Sequence, residues 1–391
     1  MKINKISTKL IKPLTPTPLN LKNYHISFLD QHVVKKYIAV VLYYQSVPAD
    51  DRLEGSLAET LVHFYPLAGR YIKTDLMVDC SDQGAEFVEA EAQDAQVTDL
   101  IGKTDTNHLC PEQYFGVDEG ADDPLLLIQM TRFPCDGRSL PHPHPHPIFR
   151  ARLVASAQGR KIRAGFERVS RQGAKDCCEE AFVWKGDLTR LKRERSTTVS
   201  SGVRVACAVI AKSLIRLDRA THGKSRDFVV FQPINMRERT SAPPPKNACG
   251  NMSFGSFTRR VSAEEEIGIE ELVDLIGDGV RKSIAEYAEI LCPDRDGRDI
   301  IINVRNKNRK QVFKPETFVV SFTDWSKFGF YEVDFGWGKP IWSGVGPQRP
   351  RGNHTILMRS EEGDGIEAWL HLKEDDMDLF EQDEEIKLFM S

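Results

Sequence analysis

The chain has 391 residues, of which 40% are apolar, 28% charged and 9% aromatic. This length is typical of two domains, and the composition is too hydrophobic for a disordered protein. A formal net charge of −4 and a pI of about 6.2 argue against binding to nucleic acid or to an anionic membrane. The longest apolar run, residues 37–44, is far shorter than the ~20 residues of a membrane span, and residues 1–18 lack a signal-peptide core. We therefore expect a cytoplasmic monomer.

The eight cysteines are scattered along the chain, and only Cys177 and Cys178 are adjacent. No C-x-x-C pair occurs, so the spacing supports neither a disulfide framework nor a zinc site. The sequence therefore predicts reduced thiols and no bound metal.

Apolar periodicity predicts alternating helices and strands. Leu53, Leu57 and Leu61 recur at helical spacing, and Pro66 and Gly69 end this helix. The predicted helices lie at residues 53–64, 201–220 and 263–291. The predicted strands lie at residues 228–232, 317–322, 329–335, 354–358 and 365–372. This pattern favours an α/β or α+β fold with mixed sheets.

One basic segment differs from its surroundings. Residues 150–175 hold eight basic side chains and one acid, and they follow a tract of alternating proline and histidine at residues 141–147. The segment shows neither a helical nor a strand period, so we expect it to be exposed and irregular.

An alternating segment precedes a turn that is rich in glycine. In the predicted strand Glu332 and Asp334 lie on one face, and Gly336 and Gly338 then flank Trp337. Glycines at both sides of a tryptophan allow a tight turn that presents a large ring. We interpret Asp334 as a residue that shapes this loop rather than as one that transfers protons.

Residues 331–340, which read YEVDFGWGKP, closely resemble the D-F-G-W-G signature of the plant BAHD acyltransferases. That family moves acyl groups from coenzyme A thioesters to alcohols or amines. Residues 64–70 (FYPLAGR), 235–237 (NMR) and 363–369 (GDGIEAW) are similar to other family segments. The resemblance covers about residues 9–135 and 182–391. Among the members of the family, alkaloid and alcohol acetyltransferases have the most similar overall sequence.

The resemblance implies two similar-sized α/β domains with mixed sheets, like chloramphenicol acetyltransferase, and a channel between them. We place the first domain at residues 1–165 and the second at residues 176–391. From about residue 136 the sequence of the first domain no longer follows the family pattern. The second would carry the D-F-G-W-G loop, and a segment after residue 335 would return to the first.

The resemblance also implies the chemistry. The histidine of a second signature, H-x-x-x-D, is understood to take the proton of the acceptor hydroxyl as its oxygen attacks the thioester. No acyl-enzyme and no permanently bound cofactor are needed, because acyl-CoA is a co-substrate and both partners are small molecules. Thr323 and Trp325 match a substrate-contacting T-x-W segment, although a core role for Trp325 stays open. The structural motif comprises Asp334, Phe335, Gly336, Trp337 and Gly338, with Arg237 as the ion-pair partner of Asp334.

The chain departs from the family at H-x-x-x-D. The single match, His371 to Asp375, lies after the D-F-G-W-G loop, in the wrong order for the family, and we interpret it as chance. Spacing from Cys135 places the catalytic histidine near His146, but the residue four positions later is Arg150. Several tens of residues are expected to be missing here. The alternatives for the histidine tract are a stiff polar loop and adventitious metal binding.

Two main hypotheses remain from the sequence. The first is an acyltransferase of specialised metabolism with impaired transfer. The second is a non-catalytic descendant, or the product of a damaged gene, that keeps the fold. A histidine-proline metal-binding module is a third and weaker alternative. The coding DNA for residues 136–175, translated in all three frames, would show whether a frameshift removed H-x-x-x-D.

Overall fold

The structure, a computed structural model, describes residues 2–32, 38–45, 52–94, 97, 123–134, 146–153, 179–187, 202–245, 248–311, 314, 316–346, 353–360 and 365–390. The chain divides into two compact units. The first comprises Met1–Arg168 and Gly329–Gln348, and the second comprises Val169–Phe328 and Arg349–Ser391. The sequence assigned the D-F-G-W-G loop to the second domain, with a return after residue 335. The structure groups the loop with the first unit.

The first unit contains a six-stranded mixed sheet. Its strands are β1 (Ile3–Ile11), β3 (Val40–Tyr43), β6 (Ala85–Ala92), β7 (Leu126–Phe133), β8 (His146–Leu153) and β13 (Trp342–Val345). Their order is β1-β6-β7-β8-β3-β13, and only the β6–β7 pair is parallel among these strands. A smaller antiparallel sheet has the order β2 (Asn23–His25), β5 (Met77–Asp79), β4 (Arg70–Ile72). Helix α1 (Arg52–His63) buries Leu53, Leu57 and Leu61 as its sequence predicted.

The second unit contains another six-stranded mixed sheet. Its strands are β9 (Glu179–Asp187), β10 (Phe228–Asn235), β11 (Ser253–Phe257), β12 (Phe318–Asp324), β14 (His354–Arg359) and β15 (Gly365–Lys373). Their order is β11-β10-β12-β14-β15-β9, with β12 parallel to both of its neighbours. The described helices of this unit are α2 (Gly202–His222), α3 (Ile269–Tyr287), α4 (Gly297–Gln311), α5 (Glu374–Glu381) and α6 (Glu384–Met390). Within the described ranges, no helix has the length and apolar character to cross a membrane.

One face of the second sheet forms a core with its helices. Val230, Val320 and Leu357 from the central strands pack in one cluster with Val209 of α2 and Leu272 of α3. Because side chains alternate between the faces of a strand, the residues next to these three along each strand lie on the opposite face. The predicted helix at 201–220 and the strands at 228–232, 317–322, 354–358 and 365–372 are confirmed in kind, with small shifts of their ends.

The predicted strand at residues 329–335 is wrong. The structure has a short 3₁₀ helix, Phe330–Glu332, followed by an extended segment without a strand partner. The alternation that suggested a strand is nevertheless real, because Val333, Phe335 and Trp337 pack against the core of the first unit. Side-chain hydrogen bonds take the place of a ladder here, so a period of two does not identify a strand by itself.

The expectation that residues 150–175 are irregular is wrong for their first part. Residues 150–153 belong to β8, which pairs with β7 and β3. The pairing of residues 150–153 with β7 outweighs the weak local preference of a basic, proline-flanked segment. The rest of the expected irregular segment lies outside the described residues.

Helix α3 is shorter than the predicted helix at 263–291. It begins at Ile269, after the backbone N–H of Gly268 donates to the Glu271 carboxylate at 2.9 Å. Further upstream, the backbone N–H of Ala263 donates to the Asp227 carboxylate at 3.0 Å. The bond between Gly268 and Glu271 caps the first turn at Ile269, so the helix starts later than its apolar pattern suggests.

Two glycines of α3 provide a matched test of how closely the helix approaches the sheet. A Cβ at Gly279 would lie 2.9 Å from the carbonyl oxygen of Phe257 in β11, whereas a Cβ at Gly277 would meet the end of the Arg204 side chain. We expect Gly279→Ala to lower the free energy of unfolding by about 1–3 kcal/mol, because backbone cannot yield as a flexible side chain does. Gly277→Ala should be neutral or stabilising by up to about 1 kcal/mol, because alanine favours helix. Urea unfolding of both variants measures the difference, and equal effects would contradict the close approach.

Candidate active site

The D-F-G-W-G loop is held by its own acid. One oxygen of the Asp334 carboxylate, Oδ1, accepts the backbone N–H of Gly336 at 2.7 Å and that of Gly338 at 3.0 Å. Both glycines have positive φ, +95° and +105°, which other residues rarely adopt. The bonds to Gly336 and Gly338 hold the pKa of the Asp334 carboxyl below its ordinary value. A carboxylate of this kind is a poor proton acceptor near neutral pH, and its bonds favour a structural role.

The other face of the loop packs on the core of the first unit. Val333, Phe335 and Trp337 contact this core. The Tyr44 hydroxyl donates to the carbonyl of Val333 at 3.0 Å, and its ring lies 6.1 Å from that of Phe335 and 6.2 Å from that of Trp337. Burial raises the pKa of Tyr44, so the hydroxyl stays a donor. Sequence analysis missed this residue, because a tyrosine at the end of an apolar run carries no local signal for a distant contact.

Arg237 belongs to the second unit. Its guanidinium donates to the carbonyl of Gly250 at 2.6 Å, and its backbone N–H donates to the Asn235 side chain at 3.0 Å. The ion pair expected between Arg237 and Asp334 would join the two units, and it stays a prediction. Asp334 is exposed, and an exposed ion pair contributes little to stability.

His146 is the first residue of β8. Its backbone is in register with Phe133, the last residue of β7. The segment at residues 135–145, which includes Cys135, lies outside the described residues. The assignment of His146 as the proton acceptor therefore stays a prediction. Among the described residues, no group of three or more histidine, cysteine or acidic side chains is arranged to hold a metal ion.

Thr323 is the penultimate residue of β12 in the second unit, and Trp325 directly follows the strand. Thr323 is half-buried, and the Trp325 side chain is buried. The backbone N–H of Trp325 donates to the carbonyl of Leu357 at 2.7 Å, and Asp324 accepts the backbone N–H of Ser326 at 2.9 Å. The strand end is thus fixed by hydrogen bonds on both sides of the T-x-W segment. Burial of Trp325 favours a core role, while Thr323 is only half-buried.

Comparison with known proteins identifies the family. The family model described as the Transferase family matches residues 1–152 and 152–387. A relative from Salvia splendens, pelargonidin 3-O-(6-caffeoylglucoside) 5-O-(6-O-malonylglucoside) 4'''-malonyltransferase, is 70% identical over 100% of both chains. Vinorine synthase from Rauvolfia serpentina is 30% identical over 96% of this chain and 95% of its own. The crystal structure of vinorine synthase covers 97% of this chain and 96% of its own with a TM-score of 0.72 and 28% identity.

The chain belongs to the BAHD acyltransferase family. Its fold of helices and mixed sheets is the one shared with vinorine synthase. The alignment with the Salvia relative spans 421 positions against the 391 residues of this chain, so at least 30 positions hold no residue of this chain. This difference supports the expectation that several tens of residues are missing relative to the family.

Two substitutions of Asp334 separate loop bracing from ion pairing. Both backbone bonds end on one oxygen, so the amide oxygen of Asp334→Asn can accept them, whereas Asp334→Ala removes them. We expect the melting temperature of Asp334→Asn at neutral pH to fall only by the part that the charge contributes, and that of Asp334→Ala to fall further. If the ion pair with Arg237 were the main contribution, Asp334→Asn and Arg237→Gln would both lose as much as Asp334→Ala.

The same loop predicts a pH dependence. The pKa of Asp334 is lower in the folded chain than its ordinary value. Its contribution to stability is therefore complete above the ordinary carboxyl pKa and is lost as the pH falls through the lowered one. Asp334→Asn should lack this component of acid sensitivity, which melting curves recorded from neutral to acidic pH would reveal. Identical acid profiles for both proteins would contradict the assignment.

Proposed function

We propose that the chain is an acyl-CoA-dependent O-acyltransferase of plant specialised metabolism, with malonyl-CoA as donor and a sugar hydroxyl of an anthocyanin glucoside as acceptor. The observation that carries this proposal is the 70% identity with the Salvia malonyltransferase over the full length of both chains. Vinorine synthase, at 30% identity, supports the reaction class rather than the substrates.

In the proposed reaction the acceptor oxygen attacks the thioester carbonyl of the donor. A carbon–oxygen bond forms, the carbon–sulfur bond breaks, and the acceptor proton passes through the base to the departing thiolate of coenzyme A. His146 is the proposed base, since a neutral imidazole can accept a proton near pH 7. Thr323 and Trp325 are the proposed substrate contacts. The reaction needs acyl-CoA as a co-substrate and no permanently bound cofactor.

We also propose that transfer by this chain is strongly reduced. No H-x-x-x-D occurs in the family order, and Arg150 stands where an acid follows the expected histidine. Loss of a positioned base typically costs about 10²–10⁴ in rate. Small displacements of the reacting groups add to this cost.

A second candidate function is ligand binding without transfer, in a non-catalytic descendant or a damaged gene product. The missing alignment positions and the absent H-x-x-x-D favour it. The two candidates differ in turnover and agree in retaining the fold.

Turnover by three proteins tests the proposal: the unchanged chain, His146→Ala, and a chain with H-x-x-x-D and the following segment restored from the Salvia relative. We expect the restored chain to exceed the unchanged chain by about 10²–10⁴ in kcat, because it regains a positioned base. His146→Ala should remove the residual transfer. Thiol release from malonyl-CoA, together with chromatography of the acylated glucoside, measures both.

Acetyl-CoA in place of malonyl-CoA provides the donor control. Rapid transfer by the unchanged chain that His146→Ala leaves intact would refute both the base assignment and the impairment. No transfer by the restored chain with any donor would refute the proposed reaction.

A further inference from the structure

The segment that carries the D-F-G-W-G loop is closed at its base. Before the loop, the Tyr331 hydroxyl accepts the backbone N–H of Ser343, the second residue of β13, at 3.3 Å. After the loop, the backbone N–H of Ile341 donates to the carbonyl of Tyr43 in β3 at 2.7 Å. Strand β13 then pairs with β3, and Trp342 is in register with Tyr43. The loop therefore returns to the first sheet directly beside β3.

Tyr44 joins the middle of the loop to the end of β3. It directly follows Tyr43, the last residue of that strand, and its side chain is 1% exposed. Its hydroxyl donates to the carbonyl of Val333, and its ring lies beside those of Phe335 and Trp337, which are themselves 5.5 Å apart. A shift of the loop would therefore break this hydrogen bond and separate packed rings at the same time.

One polar group of the loop is destabilising in this position. Nε1 of Trp337 is buried, and no hydrogen-bond partner meets it within the part of the chain that the structure describes. A buried donor without a partner lowers the stability of the packed loop. The bond that Tyr44 donates and the two bonds that Asp334 accepts offset this cost. Removal of any of these bonds thus acts on a loop that already carries an unfavourable group.

Strand β3 lies between the strand that follows the loop and the strand of the proposed base. It pairs with β13 on one side and with β8 on the other. Tyr43, the neighbour of Tyr44, is in register with Trp342 of β13 and with Ile148 of β8. His146, the first residue of β8, lies two residues before Ile148. Ladder hydrogen bonds fix the spacing of paired strands, so a displacement of β3 also displaces β8.

We propose that Tyr44 is a positioning residue, which couples the D-F-G-W-G loop to the strand of the proposed base, His146. This inference rests on the proposed function for the role of His146. The physical link is short, because the loop bonds to Tyr44, Tyr44 directly follows β3, and β3 pairs with β8. All of these elements belong to the first unit. A change in the loop moves the start of β8 through Tyr44, and small displacements of a reacting group lower the rate steeply.

Nuclear magnetic resonance of the histidine rings tests the coupling without requiring turnover. The full chain is labelled in its ten histidines, and the signal of His146 is identified by its loss in His146→Ala. We expect Asp334→Ala, which removes both bonds to the loop glycines, to shift the His146 signal. Tyr44→Phe keeps the ring and removes only the hydroxyl. In that background Asp334→Ala should add no further shift, because both substitutions act through the same link.

Amide hydrogen exchange reports on the loop itself. The amides of Gly336 and Gly338 should exchange about twofold to tenfold faster in Tyr44→Phe, as loss of one hydrogen bond predicts. The matched control is Tyr24→Phe, which removes the hydroxyl of a tyrosine in the smaller sheet of the same unit. It should change neither the exchange of these amides nor the His146 signal.

Residual transfer gives a kinetic readout. Tyr44→Phe should lower kcat by about twofold to tenfold and leave the KM values for malonyl-CoA and for the glucoside unchanged. A displaced base weakens an interaction that is made only in the transition state, so it affects the reaction step rather than substrate binding. Tyr24→Phe should leave kcat unchanged, which separates the coupling from a general effect of losing a tyrosine hydroxyl.

Two outcomes would overturn the inference. The first is a His146 signal that Asp334→Ala leaves in place, or that it shifts equally with and without the Tyr44 hydroxyl. The second is a higher KM with an unchanged kcat in Tyr44→Phe, which would assign Tyr44 to substrate binding. If no donor supports transfer, even when H-x-x-x-D is restored, the proposed reaction is contradicted, and the shifts of the His146 signal still decide the coupling.

Discussion

Burial of one face of the second sheet fixes the register of its strands. Val230, Val320 and Leu357 pack with α2 and α3 in a single core. A slip of β12 by one residue would expose Val320 and move Ser321 into that core. An unpartnered hydroxyl buried there would cost about 1–3 kcal/mol. The apolar face therefore determines where the polar groups of the other face lie, and the close approach of Gly279 to Phe257 holds β11 in the same arrangement.

Elements with a strong period were predictable from the sequence, and those set by distant contacts were not. Helices α1 and α2 and the strands around Phe228 and Phe318 follow apolar patterns that few competing structures satisfy. The segment before the D-F-G-W-G loop has an equally clear period of two, but the Tyr44 hydroxyl takes the carbonyl of Val333. No local sequence pattern predicts a hydrogen bond between residues so far apart in the chain. Strand β8 was missed for the opposite reason, since Pro147 and two nearby arginines argue locally against a strand.

The candidate site also has one part that the sequence could predict and another that it could not. A loop braced by Asp334 could be predicted, because an acid two and four residues before glycines readily accepts their backbone N–H groups. The neighbours of Ser321 in the sheet could not be predicted, because they come from strands that are far apart in sequence. Only the register of the folded sheet places Phe231 beside Ser321 and Ser321 beside His354. The role of His146 depends on a neighbourhood that includes residues 135–145, and it stays a prediction.

In the proposed reaction, recognition of the acceptor and turnover make different demands on the chain. Acceptor affinity is a sum of contacts made in the ground state, and these contacts need no base. Transfer needs interactions that become stronger only as the oxygen attacks the thioester, and the base is one of these. A chain that loses H-x-x-x-D therefore loses kcat before it loses affinity. Identity of 70% with a malonyltransferase therefore supports the proposed acceptor more than it supports any particular rate of transfer.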